Sequence, residues 1–255
     1  MQSKSKRAVF IRIAAAVLLV VVITTLIYEV TFDVSREITY HTIMPRIKAL
    51  FGGKLSADGI LQLLNSLIPI IGAFVDIVLA FITVIMLFGL KEKTAGVLFI
   101  VSAVVDILFF IALNTVYLIL IRNSPDISSF ISDNIFNAVE FLFVQTLVIL
   151  LGLLLIGAFK GGSKVVGFIL AGLFSAVAVL ALIYLIAGIP MGVQSIVGGA
   201  GKSTAFIVIS GVVNYFINPF VLVLTQIGCI LCCLGVALTS KKEKVQEAQD
   251  AGQQE

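Results

Sequence analysis

Asp76, Asp106, Gln145 and Gln226 are acid and amide side chains set deep inside long apolar runs. Asp76 lies 15 residues before Lys91, Gln145 lies 15 before Lys160 and Gln226 lies 15 before Lys241, while Asp106 lies 13 after Lys93. In a helix that spacing is roughly 20 Å of rise, so the four fall at nearly one depth measured from the lysines. Placing an ionised carboxylate at that depth of a bilayer costs at least ~2.5 kcal/mol, and such groups face the bundle interior, often on ion or proton pathways. Two neighbouring carboxylates do not both ionise easily, so one should hold a proton at neutral pH. A shared proton suits proton-coupled transport. No lysine or arginine lies at mid-depth to act as an ion-pair partner. The plain alternative has each acid protonated or bonded to Gln145, Gln226, Asn114 or a hydroxyl, purely as glue between helices. Both readings stand for Asp76 and Asp106; for Gln145 and Gln226 taken alone, glue is the better account.

The elements that must position these residues follow from composition. The 255-residue chain is 60% hydrophobic and 12% charged, with a mean hydropathy of +1.18. Soluble domains run about 45–50% apolar and about 25% charged, so lipid must be the solvent for most of this chain. A span needs roughly 20 apolar residues, and six such segments can be read: 8–28, 60–90, 95–121, 138–159, 165–189 and 205–239. The runs are continuous rather than alternating, which argues against a strand barrel. The expectation is an all-α, polytopic membrane bundle over residues 1–240, followed by a polar tail at 241–255 that frays. Pro69 and Pro219 fall in the longer second and sixth segments. The first segment lacks a small-x-small cleavage site and reads as an uncleaved anchor.

Lysine and arginine set the orientation. With the N-terminus inside, ten lie on that side (Lys4, Lys6, Arg7, Lys91, Lys93, Lys160, Lys164, Lys241, Lys242, Lys244) and six on the other (Arg36, Arg46, Lys48, Lys54, Arg122, Lys202), leaving Arg12 to snorkel. Both termini are therefore expected in the cytoplasm, with the protein in the plasma membrane. The net charge of +3 is largely this bias, and nucleic-acid binding is not expected. On the outer side, Ile43, Ile47, Leu50 and Phe51 fall at helical spacing before Gly52-Gly53, which predicts a short interfacial helix. Ser124-Pro125-Asp126 reads as a helix start. The glycine-rich stretch 188–204 has the composition of a loop that dips back into the membrane. Three hairpins look weakly alike, with Tyr28, Tyr117 and Tyr184 near the outer ends and Gly89, Gly157 and Gly235 near the inner ends, a pattern that either reflects a parallel repeat or ordinary interfacial punctuation.

Other signals point to packing rather than chemistry. Gly167, Ala171 and Ser175 at four-residue steps, with Gly172 and Ala176 beside them, form a small-residue stripe. Such a stripe lets a helix approach closely: it marks the fifth span as the most buried helix, or as a face for a homo-oligomer or another membrane protein. Cys229, Cys232 and Cys233 offer too few ligands for a metal and read as core. A phosphate-loop reading of 197–204 fails because the first glycine of that motif would fall on Ile196. The single histidine, His41, lies in the long outer loop, and the settings of Asp76 and Asp106 match no aspartyl intramembrane protease motif. No enzyme activity and no cofactor are expected. The function that follows is a small transporter or permease-like protein with a polar, acidic site near or beyond the bilayer middle. The alternative is a non-catalytic membrane scaffold or assembly subunit.

Overall fold

The computed structural model describes residues 2–28, 43–53, 56–122, 127–199 and 217–251. Within them the chain is all helix: α1 (Gln2–Tyr28), α2 (Ile43–Phe51), α3 (Ala57–Phe88), α4 (Glu92–Ile121), α5 (Ile127–Ile156), α6 (Ser163–Gly199) and α7 (Asn218–Ala251). Six of these are long and apolar enough to cross a membrane: 6–28, 57–88, 92–121, 137–156, 163–190 and 218–239. An uninterrupted apolar run has this outcome because hydrocarbon offers no partner for backbone N–H and C=O groups, and a helix satisfies them all within one segment.

Local signals set the helix ends. Ser56 caps α3 by accepting the Gly59 amide at 3.2 Å, with Asp58 in the first turn, where an acid complements the helix dipole. Gly89, Leu90 and Lys91 make the tight turn into α4, and Leu90 takes a left-handed φ of 55°. Glu92 opens α4 and accepts from Arg7 Nε at 2.9 and 3.0 Å, so the first turns of α1 and α4 are tied by a partly buried ion pair. The predicted short helix is α2, which buries Ile43, leaves Met44, Leu50 and Phe51 exposed, and is held to α3 by Arg46 donating to the Gln62 side chain at 2.9 Å.

Three expectations change. The glycine-rich stretch after residue 188 stays helical, because α6 continues through Pro190 to Gly199; the rest of it, like the start of the sixth predicted span at 205–216, lies outside the described residues. Residues 241–251 extend α7 rather than fray. Finally, the most buried span is α7, with 44% of its apolar window buried, against 22% for α6. The small-residue stripe of α6 supplies one side of that burial: a Cβ on Gly167 would sit 2.9 Å from Ala237 Cβ, and Ala171 is buried. Gly172 and Ala176, beside it, face outward. The Ser124-Pro125-Asp126 start also lies outside the described residues, and α5 begins directly after it.

The spans form a ring in the order α1, α3, α4, α5, α6, α7 and back to α1. Packing is most extensive along α6–α7–α1 and along α3–α4–α5, and slight where α5 meets α6 and α7. The three glycines that align in the hairpins do different work: Gly89 caps α3, Gly157 turns with φ 87° and meets nothing, and Gly235 packs on Phe10 and Ile11. The core gathers in the half nearest the lysines, from Ile11 and Leu18 of α1 through Leu87, Leu151 and Phe174 to Cys232 and Val236. Cys229, Cys232 and Cys233 are buried in it. The opposite half is looser and holds the cavities described next.

Candidate functional site

Asp76 and Asp106 line one cavity of about 480 Å³. Its walls come from four helices: Val21, Val22 and Thr25 on α1; Ile68, Pro69, Gly72, Ala73, Asp76, Ile77 and Ala80 on α3; Asp106, Phe109, Phe110 and Leu113 on α4; and Phe141 on α5. Antiparallel α3 and α4, joined by a three-residue turn, bring the two acids to the same height. Gly72 stands one turn from Asp76 and leaves room for the Phe109 ring, whose nearest carbon is 3.4 Å from where a Cβ would be. Phe110, one turn beyond Asp106, stacks on Phe141 with ring centroids 4.5 Å apart and 14° between planes.

Gln145 enters from α5, one turn beyond Phe141, and its Nε2 donates to Asp106 Oδ2 at 3.0 Å. Gln145 is buried. The second oxygen, Asp106 Oδ1, is also buried and accepts no hydrogen bond. A buried acceptor without a donor costs about 1–3 kcal/mol, which makes this oxygen a place where a hydrogen-bond donor is favoured. Of the partners foreseen for the acids, Asn114 turns back instead to its own helix, donating to the Phe110 carbonyl at 2.8 Å. The hydroxyls of Thr83, Thr225 and Thr239 do the same, each bonding the carbonyl four residues earlier. Among the described residues, the cavity lining contains no lysine, arginine or histidine.

Gln226 shares the residue count of Asp76 and Gln145 from the lysines but not their place. It lies on α7, is 2% exposed and does not line the acidic cavity; its Oε1 is buried without a hydrogen bond. An acceptor in that state opposes folding. Gln226→Met, which keeps the volume and removes the polar atom, is therefore expected to stabilise the purified protein by about 1 kcal/mol. A thermal melt in detergent checks this, and a lower melting temperature would contradict the account.

The phenylalanines of the cavity were missed by reading polar residues alone, although 72/76, 106/110 and 141/145 all share the four-residue step that puts side chains on one helix face. A second cavity, of about 750 Å³, also went unforeseen: it opens where α5 barely meets α6 and α7, with Glu140, Tyr184 and Asn218 among its lining. No family model matches the chain, and neither a curated protein nor a solved structure matches it. The geometry alone therefore carries the functional reading.

Proposed function

We propose that this integral membrane protein is a small transporter with a proton-linked site at Asp76 and Asp106, both termini in the cytoplasm and the plasma membrane as its location. The observation that carries the reading is the placement of two carboxylic acids from adjacent spans in one cavity with no basic residue among the described residues of its lining. Two ionised acids in such a place would be expensive, so the pair retains a proton until something positive replaces it. Exchange of that kind is what coupling requires. The looseness of the half away from the lysines and the tight core on the lysine side fit a state open to the outer face and closed to the inner one. The lysine excess assigns that inner face. Release inward then requires the core between Ile11, Leu87, Leu151 and Cys232 to part.

The scaffold reading has one specific observation in its favour: the bond from Gln145 to Asp106 is what interhelical glue looks like. Asp76→Asn and Asp106→Asn separate the two. Reconstituted into vesicles with an imposed pH difference, the wild-type protein should dissipate it and the variants should not, while all elute as the same folded species. Variants that dissipate it as the wild type does would overturn the role of the acids, and a wild-type protein that leaves the pH difference standing would leave only the scaffold.

A further inference from the structure

We infer that the cavity of Asp76 and Asp106 binds a protonated organic amine: an apolar, ring-sized body carrying an ammonium group with at least one N–H. This rests on the transporter reading and names its substrate class. Four features of the site converge on it.

First, the polar side chains among the described residues of the lining are two acids and one hydroxyl, that of Thr25, so the recognised charge is positive. Second, the remaining lining is apolar and aromatic. A bare metal ion wants about six oxygens around it, more than these side chains bring, and its hydration shell would face phenylalanine. Third, Phe109, Phe110 and Phe141 stand within a turn of the acid layer, and a ring face attracts an organic cation within about 6 Å. Phe110 and Phe141, both in the lining, stack on each other and add rigid aromatic surface against which an apolar body can pack. The cavity, at about 480 Å³, falls inside the range of small-molecule sites.

The fourth feature selects among organic cations. Asp106 is held on one side by Gln145 through Oδ2, which fixes the carboxylate. Its Oδ1 is left buried without a donor. A quaternary ammonium satisfies the charge but not that oxygen. A primary, secondary or tertiary ammonium satisfies both once the carboxylate turns Oδ1 toward the cavity that Asp106 lines, because its N–H then completes the hydrogen bond.

The test uses two probes that differ by one methyl group, benzyldimethylammonium and benzyltrimethylammonium, at pH 7 with the full-length protein in detergent and titration calorimetry as readout. The protonated tertiary amine should bind about tenfold more tightly than the quaternary ion, the worth of one charge-assisted hydrogen bond. In Asp106→Asn the preference should vanish and the affinity for both should fall. Phe110→Leu, which keeps an apolar wall but removes the ring, should weaken both probes while preserving the preference. Elution profile and melting temperature of each variant establish that it is folded, and Asp76→Asn gives a second acid variant should Asp106→Asn not be. Absence of binding, equal binding of the two probes, or a preference that survives in folded Asp106→Asn overturns the amine assignment. Proton flux that depends on the acids, without amine binding, overturns the amine class and keeps the transporter. Amine binding with the stated preference, but without flux in vesicles, keeps the site and overturns the transporter.

Discussion

Gly152→Ala is expected to destabilise the protein by about 3 kcal/mol, a severe effect for the addition of one methyl group. A Cβ at Gly152 would lie 2.5 Å from the Gly96 carbonyl oxygen and 2.6 Å from Ile100 Cγ1. The contact is reciprocal: a Cβ at Gly96 would lie 2.6 Å from the Gly152 carbonyl oxygen and 3.0 Å from Leu155 Cβ. Ile100 can rotate, but a backbone oxygen moves only if α4 and α5 separate. Overpacking a tight contact costs about 1–3 kcal/mol, and this one sits at the top of that range because both obstacles on the helix axis are backbone. Gly96→Ala should cost nearly as much, and the double variant less than the sum, since one separation of the helices relieves both clashes. Gly172→Ala is the control: it too is a glycine in a span, but nothing lies within 4 Å of its Cβ. Monodisperse yield and melting temperature in detergent report the difference. If Gly152→Ala melts with Gly172→Ala, the close approach of α4 and α5 is wrong. The consequence reaches the site, because Asp106 and Gln145 lie on these same two helices, ten and seven residues from the glycines. The glycine contact sets the distance across which their hydrogen bond forms.

Asp106→Asn is expected to preserve the fold and lower pH-driven flux by about two orders of magnitude, the scale on which loss of a proton-transferring group is felt. Asparagine has nearly the same volume, and its side-chain oxygen can accept from Gln145 Nε2 as Asp106 Oδ2 does at 3.0 Å. What it cannot do is take up and release a proton, so glue survives and coupling does not. Gln145→Leu should show the opposite pattern. It leaves both Asp106 oxygens without the amide donor, at a cost of about 1–3 kcal/mol, while the carboxyl group remains. The protein should be less stable but retain flux at temperatures where it stays folded. Parallel loss of flux and stability in both variants would mean that the acid only holds helices together.

The two predictions draw on different kinds of information. Asp106 could be singled out by eye, because an acid in an apolar run is costly wherever the run folds. Gly152 could not: it is one of 21 glycines, and nothing in its own neighbourhood says that Gly96 lies opposite. The stripe at Gly167 and Ala171 was legible as a close-approach surface, but its partner proved to be Ala237 and Cys233 on α7, and α7 rather than α6 is the buried span.

The same division runs through the candidate site. Span length, helical state and the depth of each polar residue are properties of a continuous segment, set by hydropathy and a constant rise per residue. The sequence by itself therefore determined six spans and a shared depth for Asp76, Asp106, Gln145 and Gln226. Rotation about each helix axis and the choice of neighbours depend on contacts between segments far apart in the chain. Only the tertiary structure decided that Asp76 and Asp106 share a phenylalanine-walled cavity, that Gln145 reaches Asp106, and that Gln226, at a like count from the lysines, lies elsewhere. Depth is one coordinate of a buried residue and follows from counting; its azimuth is set by how the surfaces of other helices fit against its own.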